Sequence, residues 1–356
     1  MGVAEASADG GPADAASDAP SPACVARAAA LQKGLDGAHG KTTNAVLAIR
    51  DPACGAMFVT SGPGHVDATK LHRIGSVTKT YVAAVILGLV NAGKLSLDGD
   101  FLSQWVTTIP NAATITVRQL LSHTGGVFSY TADTAFESAV AANPTMVWAP
   151  ADIVAVAARN TPYFAPGQGW TYSNTDYILL GIIAEAVTGA KIGALVRQMV
   201  LTKAGLGATF FDGEEPIVGE LAEGLGTAGQ DETHYADPSY AWAAGAIAAT
   251  PGDVALWMEQ VGNGTFYDAA TQAELTTPAP MSSMSGAAYG LGIILFDASI
   301  TAGGGPAIGH DGAIPGYGTQ AFYFTEKKTT LVSIVDSDAD DPNNVSLAAL
   351  TVLFGG

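Results

Sequence analysis

The chain is poor in charge. Only 13% of its 356 residues are Asp, Glu, Lys or Arg, and within that set 15 bases face 33 acids. A net charge of −18 repels phosphate backbones and anionic lipid, which excludes nucleic acid as a partner. Cysteine is scarcer still: Cys24 and Cys54 stand alone. With no Cys-x-x-Cys pair and no His-x-x-x-His, a zinc site is excluded, and no metal is expected. There is no Gly-x-Ser-x-Gly elbow and no phosphate-cradling glycine loop. The apolar stretch Val82 to Val90 is far short of the roughly 20 residues that span a bilayer, so no integral membrane segment is expected.

What is present describes a globular chain. Hydrophobic residues make up 48% of it, and 43 glycines imply many tight turns. Residues 1–23 are an exception: rich in Ala, Asp, Ser, Pro and Gly, they read as a disordered acidic tail. They lack the basic start and apolar stretch of a signal peptide. A tail of this kind often joins a cleaved export signal or lipid anchor to a catalytic domain, which suits a secreted, periplasmic or cell-envelope protein. Cys24 is read as preceding the first helix, and Cys54 as sitting at a turn between two strands. A bridge between them would suit export, while two unpaired buried thiols are the alternative.

Hydrophobic periodicity divides the remainder. The spacing predicts a helix over 22–34 and strands over Asn44–Arg50 and Ala56–Thr60. A helix from Ser76 to about Asn91 is apolar on nearly every face and therefore central. Helices follow over 116–122, 151–159, 175–188 and 191–200. Thr250 and Pro251 cap and open a helix over 251–262. Strands then recur over Gly290–Phe296, Ala307–His310, Gln320–Thr325 and Thr330–Val335, before a last helix over 344–354. The fold class is therefore α+β. A mostly antiparallel sheet is built from the two chain ends (24–92 and 244–356) and flanked by helices, with an all-helical region (93–243) alongside. The cleft between them is the natural ligand site.

Three strings carry chemistry. In Gly75-Ser76-Val77-Thr78-Lys79, a helix starting at Ser76 places Ser76 and Lys79 on one face. A hydroxyl needs a neighbouring base to become a nucleophile, and a buried lysine can serve if its pKa is depressed. This is the only Ser-x-x-Lys among nine lysines. Alone, it reads equally well as a cap and a surface charge. Tyr172-Ser173-Asn174, the only Tyr-x-Asn, follows a Pro-Gly turn; a tyrosine near a lysine can relay a proton and an Asn amide can hold both lysine and substrate. Alone, it reads as a core aromatic and a helix cap. Gly309-His310-Asp311-Gly312-Ala313 ends a short strand. Alternation lets His310 face a cleft, Gly312 lets a substrate backbone approach, and the Ala313 N–H can pair with that of Ser76 as an oxyanion hole. His123-Thr124-Gly125 reads as a helix stop. Tyr240 and Trp242 are expected on the cleft wall, with Asp133, Glu137 and His234 as weaker rim candidates.

Taken in order, these strings resemble the serine beta-lactamase and penicillin-binding-protein superfamily, within it the class C beta-lactamase-like group of D-Ala-D-Ala carboxypeptidases, D-aminopeptidases and related esterases. Arg73–Thr80, Ile115–Gly126 and Tyr289-Gly290-Leu291-Gly292 support the likeness, which covers roughly residues 40–356. The resemblance implies an acyl-enzyme on Ser76, with Lys79 and Tyr172 moving its proton. Asn174 would orient the substrate amide, and His310 would support proton transfer from Tyr172. No cofactor is implied. The partner would be a small peptide or ester, D-residue peptides of cell-wall fragments leading. A carboxylesterase with weak beta-lactamase activity and a non-catalytic penicillin-binding-like interaction protein are the rival readings. The chain departs from carboxypeptidase relatives at Asp311 and Ala313, where they often carry Thr, and lacks an Arg on 290–297. Poor handling of a free carboxylate, including that of beta-lactams, is therefore expected.

Overall fold

The computed structural model describes residues 20–63, 68–282 and 285–355; most of the expected tail, 1–19, lies outside the described residues. A seven-stranded antiparallel sheet runs β2-β1-β10-β9-β8-β7-β6. Its strands are β1 (Ala45–Asp51), β2 (Gly55–Ser61), β6 (Ala287–Tyr289), β7 (Ile294–Phe296), β8 (Ala307–Ile314), β9 (Tyr317–Phe324) and β10 (Thr329–Val335). The chain ends meet in its middle, where β1 pairs with β10, Val46 opposite Ile334. Period-two alternation explains how β1 serves two cores. Ala45, Leu47 and Ile49 pack with Leu31 and Leu35 of α1 (Pro22–Asp36) and Val345 and Ala349 of α12 (Pro342–Phe354). Val46 and Ala48 face the larger core beneath. Cys24 and Cys54 form a disulfide that ties the start of α1 to the β1–β2 turn.

The larger core is built on α2 (Thr78–Asn91), where every residue from Thr78 to Leu87 is buried. Around it lie α3 (Val117–Leu121), α4 (Thr134–Ala142), α5 (Pro150–Ala158), α6 (Asn174–Thr188), α7 (Ile192–Val196), α8 (Thr202–Ala204) and α9 (Trp242–Gly245). The helices α10 (Pro251–Gly262) and α11 (Ala269–Leu275) complete it. The Thr250 hydroxyl accepts from Asp253 N–H, so α10 starts where its cap and proline place it. The middle region is not wholly helical. It includes β4 (Thr209–Phe211), which pairs with β5 (Ile247–Ala249), itself paired with β3 (His72–Arg73).

Two strand expectations change. The segment 290–296 is not one strand: Gly292 N–H bonds to Leu121 O of α3 and Leu291 N–H to Leu275 O of α11, so helices take the backbone bonds a strand would use. The strand expected to stop at His310 continues to Ile314, opposite Tyr317, because a tight hairpin keeps its partner beside it. Among the described residues, no single helix is long and apolar enough to cross a membrane.

Candidate active site

Ser76 does not open the long helix. It sits in a 3-10 turn, Gly75–Val77, and α2 begins at Thr78. That turn is pressed against β8, backbone to backbone. Gly75 has φ +50°, and a Cβ there would lie 2.8–2.9 Å from the Ala313 backbone. A Cβ on Gly312 would lie 2.0 Å from Ile74 O and 2.9 Å from Ser76 N. Both glycines are therefore required by the chain's own close approach, which sets the amides of Ser76 and Ala313 side by side. This adds a reason for Gly312: it admits the serine turn, and it also lines the larger cavity beside Ser76.

Lys79 is fully buried. Its Nζ lies 2.9 Å from Ser76 Oγ, 2.8 Å from Asn174 Oδ1 and 2.7 Å from Ala244 O. Burial pushes its pKa well below that of an ordinary ammonium, partly opposed by Asp311 and Asp176. As an ammonium, Lys79 would donate to all three oxygens; as a free amine it has two N–H donors and one lone pair, and since Asn174 Oδ1 and Ala244 O can only accept, the lone pair would be left to the Ser76 hydroxyl. Asn174 is oriented by its own Nδ2 donating to Thr131 Oγ1 at 3.0 Å.

Tyr172 contributes a hydroxyl that is buried and has no hydrogen bond of standard geometry. Burial pushes the phenol's pKa well up, and the nearby Ser76 hydroxyl pulls it down. Lys79 Nζ lies 4.9 Å from the ring centroid. His310 is placed differently from expectation. It is fully buried, turned beneath the cleft, and its Nε2 pairs with Tyr289 OH at 2.8 Å. Its Nδ1 lies 2.5 Å from Asp311 O, a carbonyl that can only accept. Nδ1 must therefore carry the hydrogen, and Nε2 accepts from Tyr289. Burial lowers its pKa to about 4. A neutral imidazole so occupied, with its ring centroid 6.1 Å from that of Tyr172, does not exchange protons with the phenol directly.

Two cavities flank Ser76. The smaller, about 290 Å³, is walled by Tyr130, Phe136, Tyr235 and Tyr240, with Glu137 as its one charged lining residue. The larger, about 830 Å³, includes Tyr172, Tyr289, Ile294, Phe296 and Asp311, with no Lys, Arg or His lining it among the described residues. Asp311 thus faces the cleft, and Ala313 borders both cavities. Trp242 does not line either. It is buried against Gly181 and donates from Nε1 to Glu214 at 2.6 Å, so it supports the wall from behind. Asp133 caps α4 and pairs with Arg159, a structural role. His234 lines a separate depression with Lys70 and Glu220. Sequence reasoning missed Thr131, Ala244 and Tyr289. Only Tyr289 carried a signal, in its Tyr-Gly-x-Gly string.

The whole arrangement has counterparts. The profile of the family described as Beta-lactamase matches residues 39–354. Penicillin-binding protein 4* of Bacillus subtilis (strain 168) is 24% identical over 311 residues, 82% of this chain and 66% of that protein. A D-aminopeptidase of Cereibacter sphaeroides is 24% identical over 272 residues, 75% of this chain and 50% of that protein. The chain thus spans between half and two thirds of the length of these curated relatives. Among solved structures, a D-stereospecific amidohydrolase from Streptomyces sp. superposes with TM-score 0.80 at 29% identity, covering 89% of this chain and 96% of the other. The D-amino acid amidase from Ochrobactrum anthropi SV3, complexed with L-phenylalanine amide, gives 0.81 at 25%, covering 92% and 98%. With the serine turn, the buried lysine and the seven-stranded sheet in place, the chain belongs to the beta-lactamase family.

Proposed function

We propose that the protein is a serine hydrolase that cleaves amide bonds of D-amino-acid substrates through an acyl-enzyme on Ser76. The observation that carries this reading is the fully buried Lys79, whose Nζ is held by Asn174 Oδ1 and Ala244 O within 2.9 Å of Ser76 Oγ, where the free amine can take the hydroxyl proton. Lys79 takes the hydroxyl proton as Oγ bonds to the carbonyl carbon. The N–H groups of Ser76 and Ala313 receive the oxyanion. The proton passes through Tyr172 to the leaving nitrogen as the C–N bond breaks. Water then attacks the ester, and the released oxygen returns to Ser76 as a hydroxyl.

The group that protonates the leaving nitrogen must stand on its side, so the larger cavity, lined by Tyr172, takes the leaving group. No cation lines it and Asp311 does, which favours amides or uncharged peptide ends over free carboxylates. The smaller cavity takes the acyl residue. Its aromatic walls and single carboxylate, Glu137, suit an amino acid with a free ammonium, a substrate type that fits the names of the amidase and aminopeptidase relatives. The cell envelope is the setting we propose, with cell-wall D-peptides as one source of substrate.

The test is turnover of a D-amino-acid amide, its L-enantiomer, a D-Ala-D-Ala peptide, that peptide's C-terminal amide and a p-nitrophenyl ester, with Ser76→Ala as control. At about 4 Å, removal of like-charge repulsion is worth roughly 1–4 kcal/mol, so the C-terminal amide should outpace the free acid by about five-fold or more. Asp311→Thr should narrow that gap. Preference for the free acid, or acylation persisting in Ser76→Ala, would sink the reading. Turnover of the ester alone would favour a carboxylesterase.

A further inference from the structure

Behind Tyr172, two ionisable side chains face each other out of reach of solvent. His123 follows α3 and Asp176 lies in the first turn of α6; neither is more than 1% exposed. His123 Nδ1 lies 2.9 Å from Asp176 Oδ2. A second group aims at the same nitrogen: the Ser173 N–H, at 3.3 Å. An imidazole nitrogen has one in-plane position, filled by a hydrogen or by a lone pair. If Nδ1 carried the hydrogen, the Ser173 N–H would point at another N–H. If Nδ1 were bare and Asp176 ionised, two lone pairs would meet at 2.9 Å. A protonated Asp176 donating to a bare Nδ1, which also accepts the Ser173 amide, is the one arrangement in which both contacts attract. The far atoms of the pair, Asp176 Oδ1 and His123 Nε2, are buried without hydrogen-bond partners.

The imidazole is also the plate against which Tyr172 rests. Their centroids are 4.4 Å apart, closer than Tyr172 comes to Tyr289 at 6.3 Å or His310 at 6.1 Å. Since the Tyr172 hydroxyl has no hydrogen bond of standard geometry, packing against this plate sets its position.

We propose that Asp176 and His123 act as one neutral, proton-sharing pair that positions Tyr172 against Ser76 and keeps negative charge away from Lys79. The surroundings agree. Facing the pair are Lys79 from α2, Tyr172 and Trp170 from the loop before α6, Tyr177 from α6, Tyr289 from β6 and His310 from β8, while Asp311 acts on Tyr172 from the cleft side. Burial pushes the Asp176 carboxyl well up, opposed by Lys79, and holds His123 well below its usual range. An ionised Asp176 would draw Lys79 toward the ammonium and remove the base. Asp176 and His123 are positioning residues, acting through Tyr172 and Lys79.

The inference rests on Ser76, Lys79 and Tyr172 being the catalytic set, so two independent readouts are needed. The first is infrared difference spectroscopy of wild type against Asp176→Asn at neutral pH, which requires no activity. A protonated-acid carbonyl band lost in the variant is expected; a carboxylate band instead would overturn the proposal. The second is the labelling rate of Ser76 by a fluorophosphonate, with Ser76→Ala as blank. An unlabelled wild type would refute the catalytic set while the infrared result still decides the pair. Asp176→Ala should lose about thirty-fold in the limiting labelling rate with probe affinity held. Asp176→Asn, whose amide can donate to Nδ1, should recover at least about ten-fold of that loss. Folded Asp176→Ala at the wild-type rate, or Asp176→Asn as slow as Asp176→Ala with its acid limb moved to lower pH, would overturn the proposal. Should Asp176→Ala fail to fold, the infrared band and the Asp176→Asn pH profile decide it.

Discussion

Gly312→Ala adds one methyl group at the point where β8 meets the serine turn. The new Cβ would lie 2.0 Å from Ile74 O, whereas ordinary contact begins at 3.4 Å, and the obstructing atom is backbone. Relief therefore requires the strand and the turn to part by about 1.4 Å, a distance taken directly from those two contacts. Both amides of the proposed oxyanion hole move with it, since Ser76 N lies 2.9 Å from the same Cβ. Loss of one such donor costs about 10²–10³ in turnover, and a misplacement of about 1 Å costs about 10², so a fall of roughly 10²–10³ in kcat is expected. Overpacking costs about 1–3 kcal/mol of stability, too little to unfold a domain of this size. The assay pairs fluorophosphonate labelling with thermal melting, and Gly207→Ala, whose Cβ would meet nothing within 4 Å, is the control. Labelling and melting of Gly312→Ala both matching those of Gly207→Ala would refute the close-approach reasoning.

Two further outcomes follow. The proposed mechanism requires Lys79 as free amine and Tyr172 as phenol. Lys79 is lowered and Tyr172 raised, both chiefly by burial, so kcat/KM should rise through the depressed lysine pKa, hold a plateau across neutral pH, and fall only above the ordinary phenol range. An acid limb near the usual lysine value of about 10.4 would contradict the buried-amine geometry. Cys24→Ser should lower stability without altering labelling. The bridge spans 30 residues of sequence, a loop worth about 3–4 kcal/mol in the chain-entropy account, read as an earlier melting transition with activity retained below it.

Local chemistry was legible in the sequence, and long-range contact was not. Ser76 and Lys79 could be paired because one helical turn joins them, and Thr250-Pro251 because capping is a matter of adjacent residues. The β1–β10 pairing was foreseeable from strands at both chain ends. Other features lay beyond periodicity. Tyr289 and His310 stand 21 residues apart and meet only because β7 folds between them. The break at 290–293 arises from carbonyls of α3 and α11, which no pattern within the segment reveals. Trp242 has the composition of a cleft aromatic, yet its indole hydrogen is claimed by Glu214. The contact of Gly312 with the serine turn was likewise invisible, since Ile74 lies 238 residues away in sequence.

The sheet also imposes an order on synthesis. β1 is translated long before its inner partner β10, Val46 waiting 288 residues for Ile334. Until then the β1–β2 hairpin offers an apolar strand with an open edge, a target for holdase binding or for pairing with another nascent chain. The serine turn waits as well, because Ala313 emerges 237 residues after Ser76, as their numbering shows. Ribosome-bound chains halted before β8 should therefore be inert toward an active-site probe, and the first reactive species should appear only once β8 and its partner strands have left the exit tunnel.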